Sequence, residues 1–174
     1  MRTSIWVFLI LLFALVLGCS DNSSVSGQRG VLQLFLTDQP IQAKEIDVTL
    51  SEIEVHETGG NWKPFVQASK TLDLLTLKGT QSLLAMAELP DGTYTGFRLR
   101  VEEGHIIDDQ GNRCNLTVPS DKIEVPVVFE IQKGALTKVV LDFKAEDSVH
   151  VIQAGKTERC ILRPVLTPVS VTNQ

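Results

Sequence analysis

Three cysteines are the residues of this 174-residue chain whose type and spacing most directly suggest covalent chemistry. Cys19 follows an apolar run, whereas Cys114 and Cys160 lie far downstream. A thiolate can accept a lipid, and two thiols in an oxidising compartment can form a disulfide. Cys114 and Cys160 each share strand parity with an apolar neighbour, so both are expected to face inward. The alternation shows which face of the sheet each cysteine occupies, but not whether the two cysteines are neighbours. Both a disulfide and two buried free thiols therefore stay open.

The residues that precede Cys19 suggest its chemistry. Val16-Leu17-Gly18-Cys19 resembles the lipobox of bacterial lipoproteins, in which aliphatic and small residues lead into the cysteine. The resemblance implies that the Cys19 sulfur receives diacylglycerol and that the chain is cleaved between Gly18 and Cys19. Several acyl chains, each buried CH₂ contributing about 0.8 kcal/mol, would hold such a protein at a membrane. An ordinary secretory signal that ends in a cysteine is the alternative.

The segment before Cys19 has the properties of an export signal. Met1 and Arg2 give a positive start, and residues 5–17 are an unbroken apolar run. As a helix this run would span roughly 20 Å, short of the ~30 Å hydrocarbon core that a permanent span must cross. We therefore predict a signal peptide over residues 1–18. Because Ser20 follows the cysteine, the resemblance implies an exported protein anchored on the periplasmic side of the outer membrane in a Gram-negative cell.

The composition after Cys19 predicts a flexible tether followed by one domain. Residues 19–30 are small and polar, and such a segment cannot bury enough apolar surface to order itself. From Val31 onward apolar and polar residues alternate with a period of two, which is typical of half-buried strands. The predicted boundaries are 31–170 for a β domain and 171–174 for a tail.

Many short alternating segments separated by turn signals predict an all-β fold, an antiparallel β-sandwich with at most one short helix. The parity of the apolar residues shifts near Ser51, which predicts a bulge or a strand break. The sequences at 59–60 and 108–112 predict turns. Only Ser82–Leu89, which is rich in helix formers and is stopped by Pro90, could form that helix, which would have two turns at most.

Several short motifs occur together along the chain. They are Leu36-Thr37-Asp38-Gln39-Pro40, Ile53-Glu54-Val55-His56, Gly59-Gly60-Asn61-Trp62, Asp73-Leu74-Leu75, Leu89-Pro90-Asp91-Gly92-Thr93-Tyr94, Val118-Pro119-Ser120, Leu141-Asp142-Phe143, Ser148-Val149 and Leu162-Arg163-Pro164-Val165. Over about Gly30 to Val169 they resemble the bacterial and archaeal domain of unknown function 4382. The resemblance implies a β-sandwich of the transthyretin-like or carboxypeptidase-regulatory-like type, and it implies no established activity.

The chain departs from the family pattern at two places. Residues 121–126 stand where the family continues with a glycine-containing stretch, and Lys144 stands where the family has an aspartate. Any role of that aspartate as a cation ligand is therefore absent. Asp142 alternates against apolar neighbours, so it is expected on the opposite face, solvated or capped. Asp38 and the segment 108–112 are expected to make turns rather than to bind calcium.

No motif for catalysis or cofactor binding is visible in the sequence. The three histidines, His56, His105 and His150, are too far apart for a zinc signature, which leaves only a ligand set assembled in three dimensions. No nucleophile elbow and no context for a Ser-His-Asp triad is present. We therefore predict no catalytic residue, no metal ligand and no cofactor.

The charge of the chain limits the classes of partner. The net charge is −5 at pH 7 without a basic cluster, which argues against nucleic acid because phosphate neutralisation needs grouped cations. Arg98 and Arg100 share one outer face of a predicted strand, with Tyr94 nearby. They could form a shallow platform for a glycan or a peptide, or only a solvated edge.

The sequence predicts a lipid-anchored binding or interaction module of the cell envelope, with a glycan or a protein as its partner. Two other classes stay open at this point. One is a cation-binding protein or an enzyme whose ligands converge only in three dimensions, and the other is a structural subunit that pairs a strand edge with a partner. A pocket that gathers histidines and acids would favour the cation-binding or enzymatic class.

Overall fold

The computed structural model describes residues 28–38, 42–154 and 157–174. The predicted signal peptide, Cys19 and all but the end of the predicted tether lie outside the described residues. Within the described ranges, no helix combines the length and the apolar character that a membrane crossing requires.

Strands make up most of the described chain, which confirms the all-β prediction. In chain order they are β1 (Arg29–Asp38), β2 (Glu45–Glu57), β3 (Trp62–Asp73), β4 (Ser82–Pro90), β5 (Gly92–Ile107), β6 (Arg113–Thr117), β7 (Lys122–Ile131), β8 (Leu136–Phe143), β9 (Val149–Ala154), β10 (Thr157–Leu162) and β11 (Leu166–Asn173). A short 3-10 helix at Leu74–Leu77 follows β3, and a four-residue helix, α1 (Ala145–Ser148), precedes β9. Alternation of apolar residues explains the strands, because a period of two places every second side chain on one face.

The strands form two sheets that pack as a sandwich. The smaller sheet has the order β11-β8-β1-β4, and the larger has the order β3-β2-β5-β6-β10-β9, with β7 also paired to β5. Most neighbouring strands pair antiparallel, as predicted, and two pairings, β1 with β8 and β6 with β10, run parallel, so both sheets are mixed. Alternation reports the face of a side chain but not the direction of the neighbouring strand, so a parallel neighbour leaves no mark on the sequence pattern.

The core lies between the two sheets. The inward leucines of β1 are fully buried, and burial of each contributes roughly 1.5–3 kcal/mol relative to its exposed state. The Phe129 ring of β7 stacks at 5.3 Å from the ring of Tyr94 and at 5.0 Å from the ring of Phe97. The buried Tyr94 hydroxyl donates a hydrogen bond to the Pro90 carbonyl oxygen at 3.0 Å, so its polar atom is satisfied.

Residues 82–90 form strand β4 instead of the predicted short helix. Their Leu, Ala and Met side chains favour a helix in isolation, but the segment pairs antiparallel with β1. This pairing buries Leu84, Ala85 and Leu89 and satisfies backbone groups of β1 that a helix could not reach. Tertiary pairing therefore overrides the intrinsic propensity of the segment.

The predicted bulge and the predicted glycine turn are both confirmed. The pairing of β2 with its neighbours shifts register around Ser51. Residues 59–60 join β2 to β3, and Gly59 adopts a φ of 72°, a left-handed conformation that glycine enters without strain.

The turn between β5 and β6 is also confirmed. The Asp108 carboxylate accepts hydrogen bonds from the backbone N–H groups of Gln110 at 2.9 Å and Asn112 at 2.8 Å. The Asn112 side chain donates to the same carboxylate at 2.9 Å, and together these bonds lower the pKa of Asp108. Asp108 therefore organises the turn, as an Asp side chain commonly does.

Two predicted boundaries differ from the observed strands. β1 begins at Arg29, inside the predicted tether, because Arg29 pairs with Pro90 of β4. β11 continues to Asn173, through most of the predicted tail. Beyond it, Gln174 exchanges two backbone hydrogen bonds with Leu136, at 2.9 and 3.0 Å. Backbone pairing does not depend on apolar side chains, so the polar composition of these ends concealed it.

Asp38 contacts a distant segment of the chain. The residue is only 4% exposed, and its Oδ1 accepts a hydrogen bond from the Ala145 N–H at 3.1 Å. The contact ties the end of β1 to the start of α1, which a local turn prediction could not include. The last two residues of the predicted turn, Gln39 and Pro40, lie outside the described residues.

A disulfide joins Cys114 on β6 to Cys160 on β10. The two Cα atoms are 6.1 Å apart, and the residues lie on neighbouring parallel strands. Because β6 has only five residues, the covalent bond holds a short strand that backbone pairing alone would hold weakly.

We expect the double variant Cys114→Ala/Cys160→Ala to lose about 4 kcal/mol of unfolding free energy, the chain-entropy estimate for a loop of 46 residues. Urea unfolding of the oxidised wild type and the variant measures the difference. Reduced wild type is the matched control and should unfold together with the variant. Equal unfolding midpoints for oxidised and reduced wild type, or two reactive thiols from this pair in denatured, unreduced protein, would contradict the expectation.

Asp142 on β8 is buried rather than solvated or capped. Its side chain lies on the face opposite to its apolar neighbours, as parity requires, but the residue is only 6% exposed. Its Oδ1 atom accepts no hydrogen bond from the described residues. Burial raises the pKa of Asp142, and the positive charge of Lys144 opposes that shift without cancelling it. The expectation of a solvated carboxylate is therefore wrong, because it treated one face of the sheet as exposed along its whole length.

We expect Asp142→Asn to raise the unfolding free energy by about 1 kcal/mol near pH 7, because the negative charge of a buried side chain is removed. Because the pKa of Asp142 is raised in the folded state, the protonated carboxyl stabilises the fold at pH values below the ordinary pKa of Asp. This contribution to stability is lost as the pH rises through the folded-state pKa. The gain of the variant should therefore shrink between about pH 7 and about pH 4. Urea unfolding at both pH values measures it, with exposed Asp109→Asn as control. If Asp142→Asn does not raise the unfolding free energy at about pH 7, or raises it more at about pH 4 than at the higher pH, the buried-charge explanation is refuted.

Candidate functional site

The outer face of the larger sheet carries the candidate sites of the described chain. Strand β5 has 16 residues and pairs with β2 along its length, with β7 along its first half and with β6 near its end. Two clefts lie over this long strand. The first, the aromatic cleft, is lined by His56, Trp62, Thr95, Gly96, Glu124, Val125 and Pro126. The second, the histidine cleft, is lined by Asp47, Thr49, Thr71, Glu103, Gly104, His105, Arg113, Asn115 and Leu116.

The aromatic cleft has a volume of about 390 Å³ and a floor made by Gly96. A Cβ atom at this position would lie 3.0 Å from the Val125 carbonyl oxygen and 3.7 Å from the Trp62 ring, so the glycine opens the space. The His56 ring lies 5.0 Å from the Trp62 ring, and its Nδ1 forms a hydrogen bond of 2.7 Å with the Thr95 hydroxyl. The cleft therefore combines two aromatic rings, a hydroxyl group and the nearby Glu124 carboxylate.

Arg98 fixes the wall of the aromatic cleft. Its guanidinium carbon lies 4.1 Å from the centre of the Trp62 ring, which is a cation–π contact. The same group pairs with Glu54 at 3.3 Å on one side and with Glu124 at 2.7 Å on the other. The indole is thus held on one side by a cation that its neighbours neutralise.

The shallow polar platform that Arg98 and Arg100 could form with Tyr94 nearby differs from the structure in two respects. Tyr94 points into the core and is fully buried. Arg100 pairs with Glu52 at 3.3 Å and with Asp121 at 3.1 Å, so both arginines lie between acidic partners. The alternative of a solvated edge is also wrong, because β5 has neighbours on both sides. The aromatic cleft takes the place of the platform, with the rings of His56 and Trp62 in its lining.

The histidine cleft has a volume of about 400 Å³ and is lined by the imidazole of His105 and by the carboxylates of Asp47 and Glu103. Asp47 of β2 lies directly across the strand pair from His105 of β5, and Glu45 lies two residues before Asp47 on the same face. The His105 Nε2 atom is 2.7 Å from a Glu45 carboxylate oxygen and 4.0 Å from an Asp47 carboxylate oxygen. The side chain of His105 is 14% exposed, so the ring is held within the sheet surface.

The electrostatic surroundings of Asp47 are crowded with like charges. Burial raises the pKa of Asp47, the nearby His105 lowers it, and the carboxylates of Glu45 and Asp73 raise it further. Arg113, which lines the same cleft, lowers the pKa of Asp47 and so opposes these carboxylates. The cleft therefore concentrates negative charge next to one neutral or positive imidazole.

The structure separates the three histidines. His56 belongs to the aromatic cleft, His105 belongs to the histidine cleft, and His150 is exposed on β9. Sequence reasoning did not single out Glu45 or Asp47 as partners of His105. The sequence shows that Glu45 and Asp47 lie on the same face of their strand. It does not show which strand pairs with β2 or in which register, and this pairing is what places them beside His105.

A family model described as a domain of unknown function, DUF4382, matches residues 29–164. No curated protein and no solved structure gives a significant match to the chain. The transthyretin-like or carboxypeptidase-regulatory-like type therefore stays a prediction. Since the family model covers most of the 174 residues, the chain belongs to the DUF4382 family, as its motifs predicted.

Proposed function

We propose that this protein is a lipid-anchored module of the cell envelope that binds a glycan in its aromatic cleft. The arrangement of Trp62, His56 and Glu124 around Gly96 is the observation that carries the glycan part of the proposal. The lipobox-like sequence at Cys19 carries the anchoring part. The tether would give the domain reach from the lipid surface.

The chemistry of the aromatic cleft suits a sugar. Sugars present apolar C–H faces and hydroxyl groups, which match aromatic rings and polar acceptors placed side by side. Trp62 and His56 supply the rings, and Glu124 and Thr95 supply hydrogen-bonding groups. Arg98 is neutralised by Glu54 and Glu124, so the cleft has no strong preference for an anion.

The size of the aromatic cleft favours a small ligand or the end of a polymer over a folded protein partner. A volume of about 390 Å³ falls within the range of small-molecule sites. A stable protein interface needs about 800 Å² on each partner, far more than this cleft offers. A protein partner would therefore need a surface beyond the cleft.

The disulfide supports the export part of the proposal. Disulfides persist in oxidising compartments such as the bacterial periplasm and are rare in the cytosol. The bond between Cys114 and Cys160 is therefore what an exported domain is expected to contain.

We expect Cys19→Ala to remain unprocessed at Gly18 and to gain no lipid, because the sulfur that accepts the lipid is absent. Intact mass and incorporation of radioactive palmitate measure both effects in membranes from expressing cells. Ser20→Ala, one residue away, is the matched control and should mature normally. Normal maturation of Cys19→Ala would refute the anchoring proposal while leaving the glycan proposal in place.

We expect oligosaccharides to change the fluorescence of Trp62. The chain has two tryptophans, so a Trp6→Phe background makes Trp62 the only indole, whether or not the signal peptide is removed. Titration of this full-length protein with soluble glucose and N-acetylglucosamine oligomers should give a saturable signal. Glu124→Ala should weaken binding about tenfold, the value of one charge-assisted hydrogen bond.

Val128→Thr is the matched control for the glycan titration, because Val128 is exposed on the same strand as Glu124 but does not line the cleft. Its affinity should equal that of the parent protein. Flat titrations with both oligomer series at millimolar concentration, or equal losses in Glu124→Ala and Val128→Thr, would rule out the aromatic cleft as a glycan site.

A further inference from the structure

We infer that Glu45, Asp47 and His105 form a binding site for a divalent transition metal ion, Zn²⁺ in the first instance. The site is separate from the aromatic cleft and shares none of its lining residues. The inference therefore goes beyond the proposed glycan function and does not depend on it.

Two paired strands hold the three donor groups at one place. Asp47 and His105 are direct cross-strand partners, and Glu45 follows the same face of β2. One ligand atom from each residue lies within 4.8 Å of the others. Ligands on paired strands of a sheet are positioned by the backbone register, which limits the reorganisation that metal binding requires.

The distances suit a small metal ion. Zinc takes nitrogen and oxygen ligands at about 2.0–2.2 Å, which places neighbouring ligand atoms of a tetrahedral site roughly 3.3 Å apart. The Nε2 atom of His105 is 2.7 Å from Glu45 and 4.0 Å from Asp47, values on either side of that spacing. Rotation of the carboxylate side chains would move the three ligand atoms, which now lie within 4.8 Å of one another, toward that spacing. Glu45 has the freedom for this movement, since its side chain is 40% exposed.

The donor set determines the class of metal. An imidazole nitrogen with two carboxylate oxygens suits Zn²⁺ and related divalent ions, whereas Ca²⁺ and Mg²⁺ prefer oxygen ligands alone. Three protein ligands leave a fourth position of a tetrahedral ion open. The cleft of about 400 Å³, which Asp47 and His105 line together with Asn115 and Thr49, has room for water or a small ligand.

The charge of the histidine cleft also favours a cation. The carboxylates of Asp73 and Glu103 lie on the same sheet face as Glu45 and Asp47, and Arg113 is the cation that lines the described cleft. A protonated His105 would pair with Glu45 and leave Asp47 at 4.0 Å. A divalent ion would instead neutralise both carboxylates and replace the Nε2 proton, so it uses all three groups.

Calorimetric titration of the chelator-treated, full-length protein with Zn²⁺ tests the inference. We expect saturation at one equivalent, and substitution by Co²⁺ should give a visible absorption band that reports nitrogen coordination. His105→Gln and Asp47→Asn should each weaken Zn²⁺ binding by about 100-fold, since loss of even an outer-shell partner costs 10–100-fold. Thermal unfolding supplies a second measurement, because bound Zn²⁺ should raise the melting temperature of the wild type and not that of the variants.

His150→Gln is the matched control, because it removes an exposed histidine outside the cleft and should leave Zn²⁺ affinity unchanged. Glu45→Gln, at a more exposed position, replaces His105→Gln if that variant does not fold. Absence of saturable Zn²⁺ binding up to about 1 mM, the weak end for extracellular metal modules, would overturn the inference. Affinity retained in folded His105→Gln and Asp47→Asn, or lost equally in His150→Gln, would overturn it as well.

Discussion

The pairing of β2 with β5 is the constraint on which the rest of the described structure depends. These are long strands, of 13 and 16 residues, and β5 presents core residues on one face and both clefts on the other. Side chains alternate along a strand, so a slip of one residue would turn Phe97 and Leu99 to solvent and bury Arg98 and Arg100. The register that assembles the hydrophobic core is thus the same register that places Asp47 opposite His105 and Glu54 opposite Arg98.

The charged residues on the outer face reinforce that register. Arg98 lies between Glu54 and Glu124, and Arg100 contacts acids on both sides as well. The side chains of Arg98 and Glu54 are only 20% and 16% exposed, whereas those of Glu124 and Asp121 are 60% exposed. A pair with an exposed acid contributes at most about 1 kcal/mol, and in the more buried pair the cost of desolvation offsets much of the attraction, so these pairs add little to overall stability. Their value is specificity, because an altered register would separate the arginines from their acidic neighbours and would bury charge without a partner. The arrangement also explains why a face with two arginines is not basic.

The sequence was informative wherever one strand determines the outcome. Alternation identified the inward residues, and Asp108 and Gly59 marked turns because their chemistry acts within a few positions. The sequence did not predict the structure where pairing with, or coverage by, another part of the chain determines the outcome. The helix-forming composition of residues 82–90 gave way to pairing with β1, and the burial of Asp142 depends on what covers its face of the sheet.

The candidate sites follow the same division between local and non-local information. The sequence predicted that Cys114 and Cys160 face inward, but it could not predict that they are bonded to each other. The face that a residue occupies depends on its own strand, whereas its neighbour depends on how distant strands pair. The partnership of Asp47 with His105 joins residues on strands far apart in the sequence, so parity alone could not reveal it. Trp62 was visible as a strand residue after a glycine turn, but its role beside Gly96 needs the register of three strands.

The position of the disulfide links the redox state of the protein to the shape of the histidine cleft. Cys114 stands between Arg113 and Asn115, both of which line that cleft, on a strand with only short pairings to β5 and β10. In a reduced chain this wall would be held by those few backbone hydrogen bonds alone. Formation of the disulfide therefore adds a covalent link to this wall, so a change in the redox state of the two cysteines would alter how firmly one side of the cleft is held.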